Sequence, residues 1–232
     1  MSSDEKVVVA YFFSIPGKNI PFAFFSMAID RVRSRKFTGI SFSKLLGTGT
    51  GRTFTPSDAD LRQWGIVVVI DRNRVEAFDA SSIVSRWRVR SNSEFRAVLS
   101  PLSSHGLWAK KNPFDFTKSL SNQDAQIAAI TRARIKWRKN LIFWKSVPPV
   151  VLELHSNPGL ISAIGIGEAP IGLQGTFSLW KSASALRDFA YKGQAHQVAI
   201  SKTQSIGWYS EELFARFEVL EIRGEISAKV HK

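Results

Sequence analysis

Residues Leu160–Tyr209 read LISAIGIGEAPIGLQGTFSLWKSASALRDFAYKGQAHQVAISKTQSIGWY. Two apolar runs in this stretch, Leu160–Gly167 and Thr176–Trp180, have the length and composition of β-strands, and a glycine-rich connection separates them. The runs Ala183–Tyr191 and Ala195–Gly207 are typical of helices. The stretch therefore predicts two strands followed by a helical region that is longer than one helix.

The flanking segments complete a folding unit around this stretch. Gln126–Lys136 alternates like a strand, and Arg138–His155 is helical with an expected interruption at Pro148-Pro149. Phe214–Arg223 closes the unit as a strand. The order β-α-β-β-α-β is that of a ferredoxin-like unit.

The first half of the chain predicts the same order of elements. The expected strands are Lys6–Ser14, Thr38–Leu46, Gly65–Asp71 and Glu94–Leu102, and the expected helices are Pro21–Arg33 and Ala80–Trp87. In the first helix, Phe22, Phe25, Ile29 and Val32 follow offsets of three, four and three residues, which indicate an amphipathic helix.

The predicted fold class is α+β, with two tandem ferredoxin-like (βαββαβ) repeats. Residues 1–102 are expected to form the first repeat, 103–124 a polar linker and 125–232 the second repeat, all within one integrated unit. A ferredoxin-like sheet carries helices on one face only, so its bare face needs a partner. Two such sheets in one chain can cover each other as a single-chain version of a dimeric α/β barrel, with a cavity between the sheets for a large ligand.

Composition excludes several kinds of site and leaves the partner open. The 232 residues include no cysteine, which excludes disulfides, thiolate nucleophiles, Fe–S clusters and cysteine zinc sites. Seventeen Phe and seven Trp could line an apolar site. The formal net charge of +13 fits a solvated basic face, an anionic membrane surface or a nucleic acid.

The N-terminus and hydropathy predict the location. MSSDEK lacks the basic region and cleavage site of a signal peptide, and no apolar run has the about 18 residues of a spanning helix. We therefore expect a cytoplasmic protein that could be peripheral to a membrane.

The run Gly47–Arg52 (GTGTGR) reads as an exposed loop, equivalent to the loop around GIGEAP (Gly165–Pro170) at one end of the barrel. It lacks the lysine and spacing of a phosphate-binding loop. It is therefore either a flexible turn or a loop that contacts a cofactor or substrate, in which Arg52 would bind a carboxylate.

Arg132 and Arg134 share one face of the strand Gln126–Lys136, opposite its apolar face. The apolar face should meet the helices, so both arginines should point into the barrel. An interior arginine needs an anion, which could be a ligand carboxylate or an internal Asp or Glu.

His196 is the one histidine in a readable helical context, although a lone histidine is most often structural. His155 is explained by a helix C-terminus, and no zinc-binding spacing occurs. The carboxylates Glu153 and Glu168 have no evident partner, and Glu211-Glu212 reads as a surface pair.

Seven segments together resemble the spheroidene monooxygenase family of carotenoid biosynthesis, and they cover roughly Gly47 to Leu220. They are GTGTGRTFTPSDAD (Gly47–Asp60), AAITRARI (Ala128–Ile135), FWKSVPPV (Phe143–Val150), GIGEAP (Gly165–Pro170), TFSLW (Thr176–Trp180), AHQVAI (Ala195–Ile200) and GWYSEELFARF (Gly207–Phe217). Each segment is weak alone, but seven in the family's order make a specific match.

The resemblance implies an enzyme with haem b that uses O2 and electrons from an external donor, such as a ferredoxin, to oxidise an acyclic carotenoid at C2. Two hydroxylations would give a gem-diol, which loses water to leave a ketone. A chain without cysteine cannot supply a thiolate ligand, so the resemblance makes His196 the expected axial ligand of the iron. Arg132 and Arg52 would then bind the propionates, and Trp180 and Trp208 would line the pocket, although core packing explains both tryptophans equally well.

Two other functions remain compatible with the sequence. One is a haem or isoprenoid carrier on the same fold without turnover. The other is a basic nucleic-acid-binding domain, which would need arginines and aromatic residues on an exposed sheet face.

Overall fold

The computed structural model describes residues 5–51, 53, 56–135, 140–169, 175–192 and 209–226. The strands in these ranges are β1 (Lys6–Ser14), β2 (Ile40–Gly49), β3 (Ala59–Asp71), β4 (Ser93–Gly106), β5 (Ile127–Ile135), β6 (Leu160–Gly167), β7 (Gly175–Trp180) and β8 (Tyr209–Arg223). The helices are α1 (Ile20–Arg35), α2 (Val75–Asp79), α3 (Ser82–Arg88), α4 (Asn140–Ser156) and α5 (Ala183–Lys192).

The strands form one closed antiparallel barrel in the order β1-β3-β2-β6-β7-β5-β8-β4. Each half contributes four neighbouring strands in the same relative order, β4-β1-β3-β2 and β8-β5-β7-β6. The order is that of two ferredoxin-like sheets, and the predicted fold class is confirmed. The halves meet along two seams, a short one between β2 and β6 and a long one between β4 and β8.

The barrel interior is filled by apolar side chains from all eight strands. They include Val8, Phe12, Leu46, Val67, Phe95, Leu99, Ile130, Ile164, Phe177, Leu213 and Phe217, all of them buried. The segment between β4 and β5 adds Trp108 and Phe114 to this cluster. An eight-stranded barrel encloses a space that side chains can fill or that can hold one small ligand. Within the described residues, apolar side chains therefore occupy the space between the two sheets, where a cavity was expected.

The outer faces of the two sheets pack against helices. In the first half, alternate residues of β1 and β3, such as Val9 opposite Val68, meet α1 and α3 in a second buried cluster. In the second half, Ile127, Trp180 and Leu186 belong to a smaller cluster between the sheet and α4 and α5. The period-2 alternation thus places one face of each strand in the barrel and the other under helices.

Two local expectations are wrong. Gly47–Gly49 is not an exposed loop but the buried end of β2, and it pairs with Gly165–Gly167 of β6 to form the short seam. Helix α4 continues through Pro148 and Pro149, where an interruption was expected. The proline φ near −65° is compatible with a helix, but a proline in the helix interior removes a hydrogen bond and crowds the preceding turn, so α4 carries this cost at Pro148 and Pro149.

Helix α1 matches its predicted position, but most of the apolar residues that indicated it face solvent. None of the helices in the described ranges is both long and apolar enough to cross a lipid bilayer. The predicted helix Ala195–Gly207 lies outside the described residues.

Candidate functional site

The structure describes two of the five predicted site residues, Arg132 and Trp180. The other three, His196, Arg52 and Trp208, lie outside the described residues. Arg132 lies at one end of the barrel interior, and Trp180 lies on the outer face of the second sheet. The structure therefore places these two residues on opposite faces of the sheet.

Arg132 points into the barrel, as its alternation with Ile127 and Ala129 predicts, and its side chain is only 3% exposed. Its Nη2 donates to Glu168 Oε1 at 2.9 Å, and its Nη1 donates to Glu211 Oε1 at 2.5 Å. Arg132 thus has internal carboxylate partners, which is one of the two alternatives that the sequence left open. The reading of Glu211 as a surface residue is wrong, because its side chain is 11% exposed and paired.

Lys44 and Trp108 complete a buried network around Glu168. Lys44 Nζ lies 2.5 Å from Glu168 Oε2, and Trp108 Nε1 donates to Glu168 Oε1 at 2.7 Å. The Lys44 ammonium and the Arg132 guanidinium also lie 5.8 and 5.6 Å from the ring centre of Trp108. The indole is therefore held between cations and a carboxylate at the end of the barrel.

Glu211 is held from the other side by backbone. The N–H groups of Ala109 and Lys110 donate to its two carboxylate oxygens at 3.0 and 2.7 Å. Both residues have positive φ angles, 57° and 62°, which cost free energy for residues with side chains. The carboxylate offsets that cost because it accepts both N–H groups, and it thereby fixes the chain immediately after Trp108.

The network keeps its carboxylates ionised. Burial by itself would raise the pKa of Glu168, but hydrogen bonds from Lys44 and Trp108 and the charges of Lys44 and Arg132 outweigh it, so the pKa lies below the usual value. Burial would also raise the pKa of Glu211, and the hydrogen bonds from Lys110, Ala109 and Arg132 reverse this in the same way. Burial lowers the pKa of Lys44, and Glu168 opposes that shift.

Two cations thus face two carboxylates, and the network as a whole is neutral. It has no spare positive charge for an external anion, and an ionised Glu168 that already accepts three bonds is a poor proton donor at neutral pH. Within the described ranges no three His, Asp or Glu side chains cluster as a metal would require. The described side chains at this end of the barrel therefore close it and orient the Trp108 ring.

A cavity of about 540 Å³ lies outside the barrel, between the second sheet, α5 and the segment after Trp108. Its apolar wall consists of Leu102, Leu120, Ile127, Ala183 and Leu186, and its polar lining includes Lys118 and Arg216. The volume falls within the range of about 300–1,000 Å³ that ligand pockets occupy.

Arg216 is the uncommitted cation of this cavity. It belongs to β8, where Ala215 and Phe217 face the barrel interior, so the Arg216 side chain faces outward. Its side chain is half-buried and forms no ion pair with any residue in the described ranges, whereas Lys118 pairs with Glu5. A half-buried arginine beside an apolar wall is suited to a ligand that combines an apolar body with a carboxylate.

Trp180 lies beside this cavity rather than in the barrel. It belongs to the same buried cluster as Ile127 and Leu186, two of the residues that line the cavity. Its ring packs against Phe189 of α5 in a tilted arrangement with the ring centres 5.2 Å apart, and its Nε1 donates to Ser178 Oγ at 2.9 Å. Trp180 thus helps to fix α5, which is the last described helix before the segment that contains His196.

Sequence reasoning missed Lys44, Trp108 and Arg216. Lys44 is a single charge in the apolar strand sequence ISFSKLLG, which was an available signal for an internal ion pair. Trp108 lies in a polar connection, and Arg216 lies in a strand that alternates regularly, so neither position carried a local signal.

Comparison with known proteins gives a consistent result. The chain is 33% identical over 215 residues to spheroidene monooxygenase of Rhodobacter capsulatus, covering 91% of this chain and 88% of that protein. It is 34% identical over 191 residues to spheroidene monooxygenase of Cereibacter sphaeroides, covering 81% of this chain and 58% of that protein. Protein-family profiles give no match.

A solved structure of aldoxime dehydratase in complex with butyraldoxime has a similar fold. Its TM-score is 0.56 at 12% sequence identity, with 95% of this chain and 81% of that chain covered. At this identity the likeness concerns the fold alone.

Replacement of Arg132 by methionine should destabilise the protein by about 3–5 kcal/mol, because the partly buried Glu168 and Glu211 would lose their shared buried cation. Arg134→Met is the matched control, since Arg134 lies two residues along the same strand and is exposed. It should change the free energy of unfolding by less than about 0.5 kcal/mol. Urea unfolding measures both, and equal effects would contradict the role given to Arg132.

Glu168→Gln should make the free energy of unfolding less dependent on pH in the acidic range. The pKa of Glu168 is lowered in the folded state, so its contribution is present above the unfolded value of about 4.3 and is lost as the pH falls through the folded value. The variant should be less stable than the parent at pH 7, and the difference should shrink as the pH falls below about 4. Urea unfolding over a pH series tests this, and a difference that does not vary with pH would refute it.

Proposed function

Because the chain belongs to the spheroidene monooxygenase family, we propose that it is a haem-dependent monooxygenase that introduces a keto group at C2 of an acyclic carotenoid. The identity of 33% over nearly the whole of a curated relative carries this proposal. The same match favours an enzyme over a carrier without turnover and over a nucleic-acid-binding domain. Two hydroxylations at C2 would give a gem-diol, and loss of water from it would leave the ketone.

We propose the cavity beside α5 as the site of the cofactor, haem b. Its aliphatic wall, with Leu102, Ile127 and Leu186, suits a flat apolar ring, and Arg216 suits a propionate at the edge of that ring. When bound, haem supplies the activation of O2. Arg132 is paired with Glu168 and Glu211, so Arg216 is the more available propionate partner in the described ranges.

His196 is the proposed axial ligand of the iron. In the sequence it follows Lys192, the last residue of α5, by four positions. Helix α5 itself is anchored on the cavity wall through Leu186 and through the packing of Phe189 against Trp180. In this proposal, Arg52 remains a second candidate for a propionate, and Trp208 a candidate for the pocket wall.

The chain's own residues would position the substrate and exclude water. A carotenoid end group is apolar and would lie against the aliphatic residues of the cavity, which Ser103, Thr117 and Ser119 also line. The electrons would come from an external donor, for which a ferredoxin is one candidate. Since the substrate resides in lipid, the proposal includes peripheral association with a membrane.

The visible spectrum and the reaction product test this function together. The purified protein, reconstituted with haem b, should show a Soret band, and with a reductant, O2 and an acyclic carotenoid it should form the 2-ketone. His196→Ala should change the Soret band and abolish the ketone. A haem-loaded protein that forms no ketone would refute the proposed monooxygenase activity. A Soret band that is unchanged in His196→Ala would refute His196 as the axial ligand.

Arg216→Met should weaken the binding of haem b by about tenfold to a hundredfold, which corresponds to the loss of one charge-assisted hydrogen bond. Arg187→Met is the matched control, because Arg187 is an exposed arginine of α5 that does not line the cavity. Titration of the apoprotein with haem, followed at the Soret band, gives both affinities without reference to turnover. Equal affinities of the two variants for haem would show that Arg216 does not contact the haem.

A further inference from the structure

Helix α1 buries a largely polar face and exposes an apolar one. Its buried face carries Ser26, Asp30 and Ser34 together with Ala23 and Met27. Its solvent face carries Phe25, Ile29 and Val32, which are 72%, 50% and 52% exposed. A surface helix normally buries its apolar row and exposes its polar one, so the exposed row of α1 calls for a partner.

Hydrogen bonds fix the helix in this orientation. Asp30 accepts from Trp87 Nε1 at 3.1 Å, from Arg86 Nη1 at 3.5 Å and from Arg33 Nη1 at 3.3 Å. Ser26 Oγ accepts from Arg86 Nη2 at 3.0 Å. Ser34 Oγ donates to Ser43 Oγ at 3.0 Å. A rotation that buried the apolar row would break this buried network, so the helix cannot simply turn inward.

The exposed apolar residues form a continuous surface. Phe25, Ile29 and Val32 are spaced by four and three residues, so they share one side of the helix over about 10 Å of its length. Ala28 is exposed between them, and Phe24 extends the surface toward Trp64, on which its ring packs at 5.3 Å. We call these five residues of α1 the apolar stripe.

The charges beside the apolar stripe have one sign. Arg31, Arg35 and Lys36 are exposed and continue the solvent face at its C-terminal end. The one acidic residue of α1, Asp30, is fully buried and neutralised by Arg33 and Arg86. The solvent face of α1 therefore combines apolar and cationic side chains without a carboxylate.

We propose that α1 docks this protein on the surface of an anionic lipid membrane. The apolar stripe would enter the boundary between headgroups and acyl chains, and Arg31, Arg35 and Lys36 would contact lipid phosphates. A second copy of the chain is a poorer occupant, because it would bring the same positive charges to the interface. The inference deepens the membrane association included in the proposed function, since it names the surface that makes the contact.

The test is co-sedimentation of the full chain with vesicles. Wild-type protein should bind vesicles of phosphatidylcholine with one third phosphatidylglycerol, and should bind vesicles of phosphatidylcholine alone much more weakly. The double variant Phe25→Ser/Val32→Ser should lose at least about tenfold in partition coefficient, as expected when large apolar side chains no longer enter lipid. Leu152→Ser is the control, because Leu152 is 73% exposed but lies on α4.

The cationic part of the surface has its own variants. Arg31→Gln/Arg35→Gln should weaken binding to the phosphatidylglycerol vesicles, and high salt should weaken wild-type binding in the same direction because it screens the attraction. Lys181→Gln is the control, since Lys181 is an exposed cation that follows β7. All variants should keep the wild-type unfolding curve, because the replaced side chains lie in solvent.

The outcomes separate the surface from the function. If wild-type protein binds neither vesicle, both the surface and the proposed membrane association are wrong, whereas the ketone assay with detergent-dispersed carotenoid still tests the reaction. If the α1 variants bind as wild type does, the surface assignment alone is wrong. If wild-type protein is a dimer in solution that Phe25→Ser/Val32→Ser dissociates, the stripe is an interface between copies and the proposal is overturned.

Discussion

The bare face of each four-stranded sheet is the constraint that shapes this protein. Helices cover only one face of a ferredoxin-like sheet, so the other face must be buried against something equally apolar. Here each half buries the other. Backbone pairing of β2 with β6 and of β4 with β8 joins the two sheets into a barrel, and side chains such as Phe12, Phe177 and Phe217 fill it. The glycines at the β2–β6 seam suit this role better than that of a mobile loop.

Closure has a consequence for where a ligand can bind. In the described part of the barrel, apolar side chains fill the interior, and Trp108 closes one end over a neutral network of Lys44, Arg132, Glu168 and Glu211. A cavity among the described residues lies between the second sheet, α5 and the segment after Trp108. The two halves therefore differ in how their helices pack on the sheet. The first packs its helices tightly on the sheet around Trp64 and Trp87, and the second leaves a cavity beside Arg216.

The fold was readable from the sequence because the alternation of β-strands and the order of elements are local signals that repeat in both halves. The site was less readable, because its contacts join residues that are distant in the chain. Arg132 could be placed inside the barrel from alternation alone, but its partners Glu168 and Glu211 lie 36 and 79 positions away. Glycine-rich composition suggested a loop at Gly47–Gly49, and strand pairing overrode it. Residues such as His196 and Arg52 stay predictions of the family resemblance.

The reversed helix α1 shows that an apolar period predicts a helix without predicting the direction of its apolar face. The period of Phe25, Ile29 and Val32 indicated α1 correctly, yet the face against the sheet is fixed by Asp30 and its bonds to Trp87 and Arg86. A buried carboxylate with three donors specifies one orientation, because any rotation leaves charge unpaired in the core. Because Asp30 fixes this orientation, the apolar row of α1 lies in solvent, which costs free energy. A lipid surface can offset this cost, and the cations beside the row, with no exposed acid among them, select an anionic one.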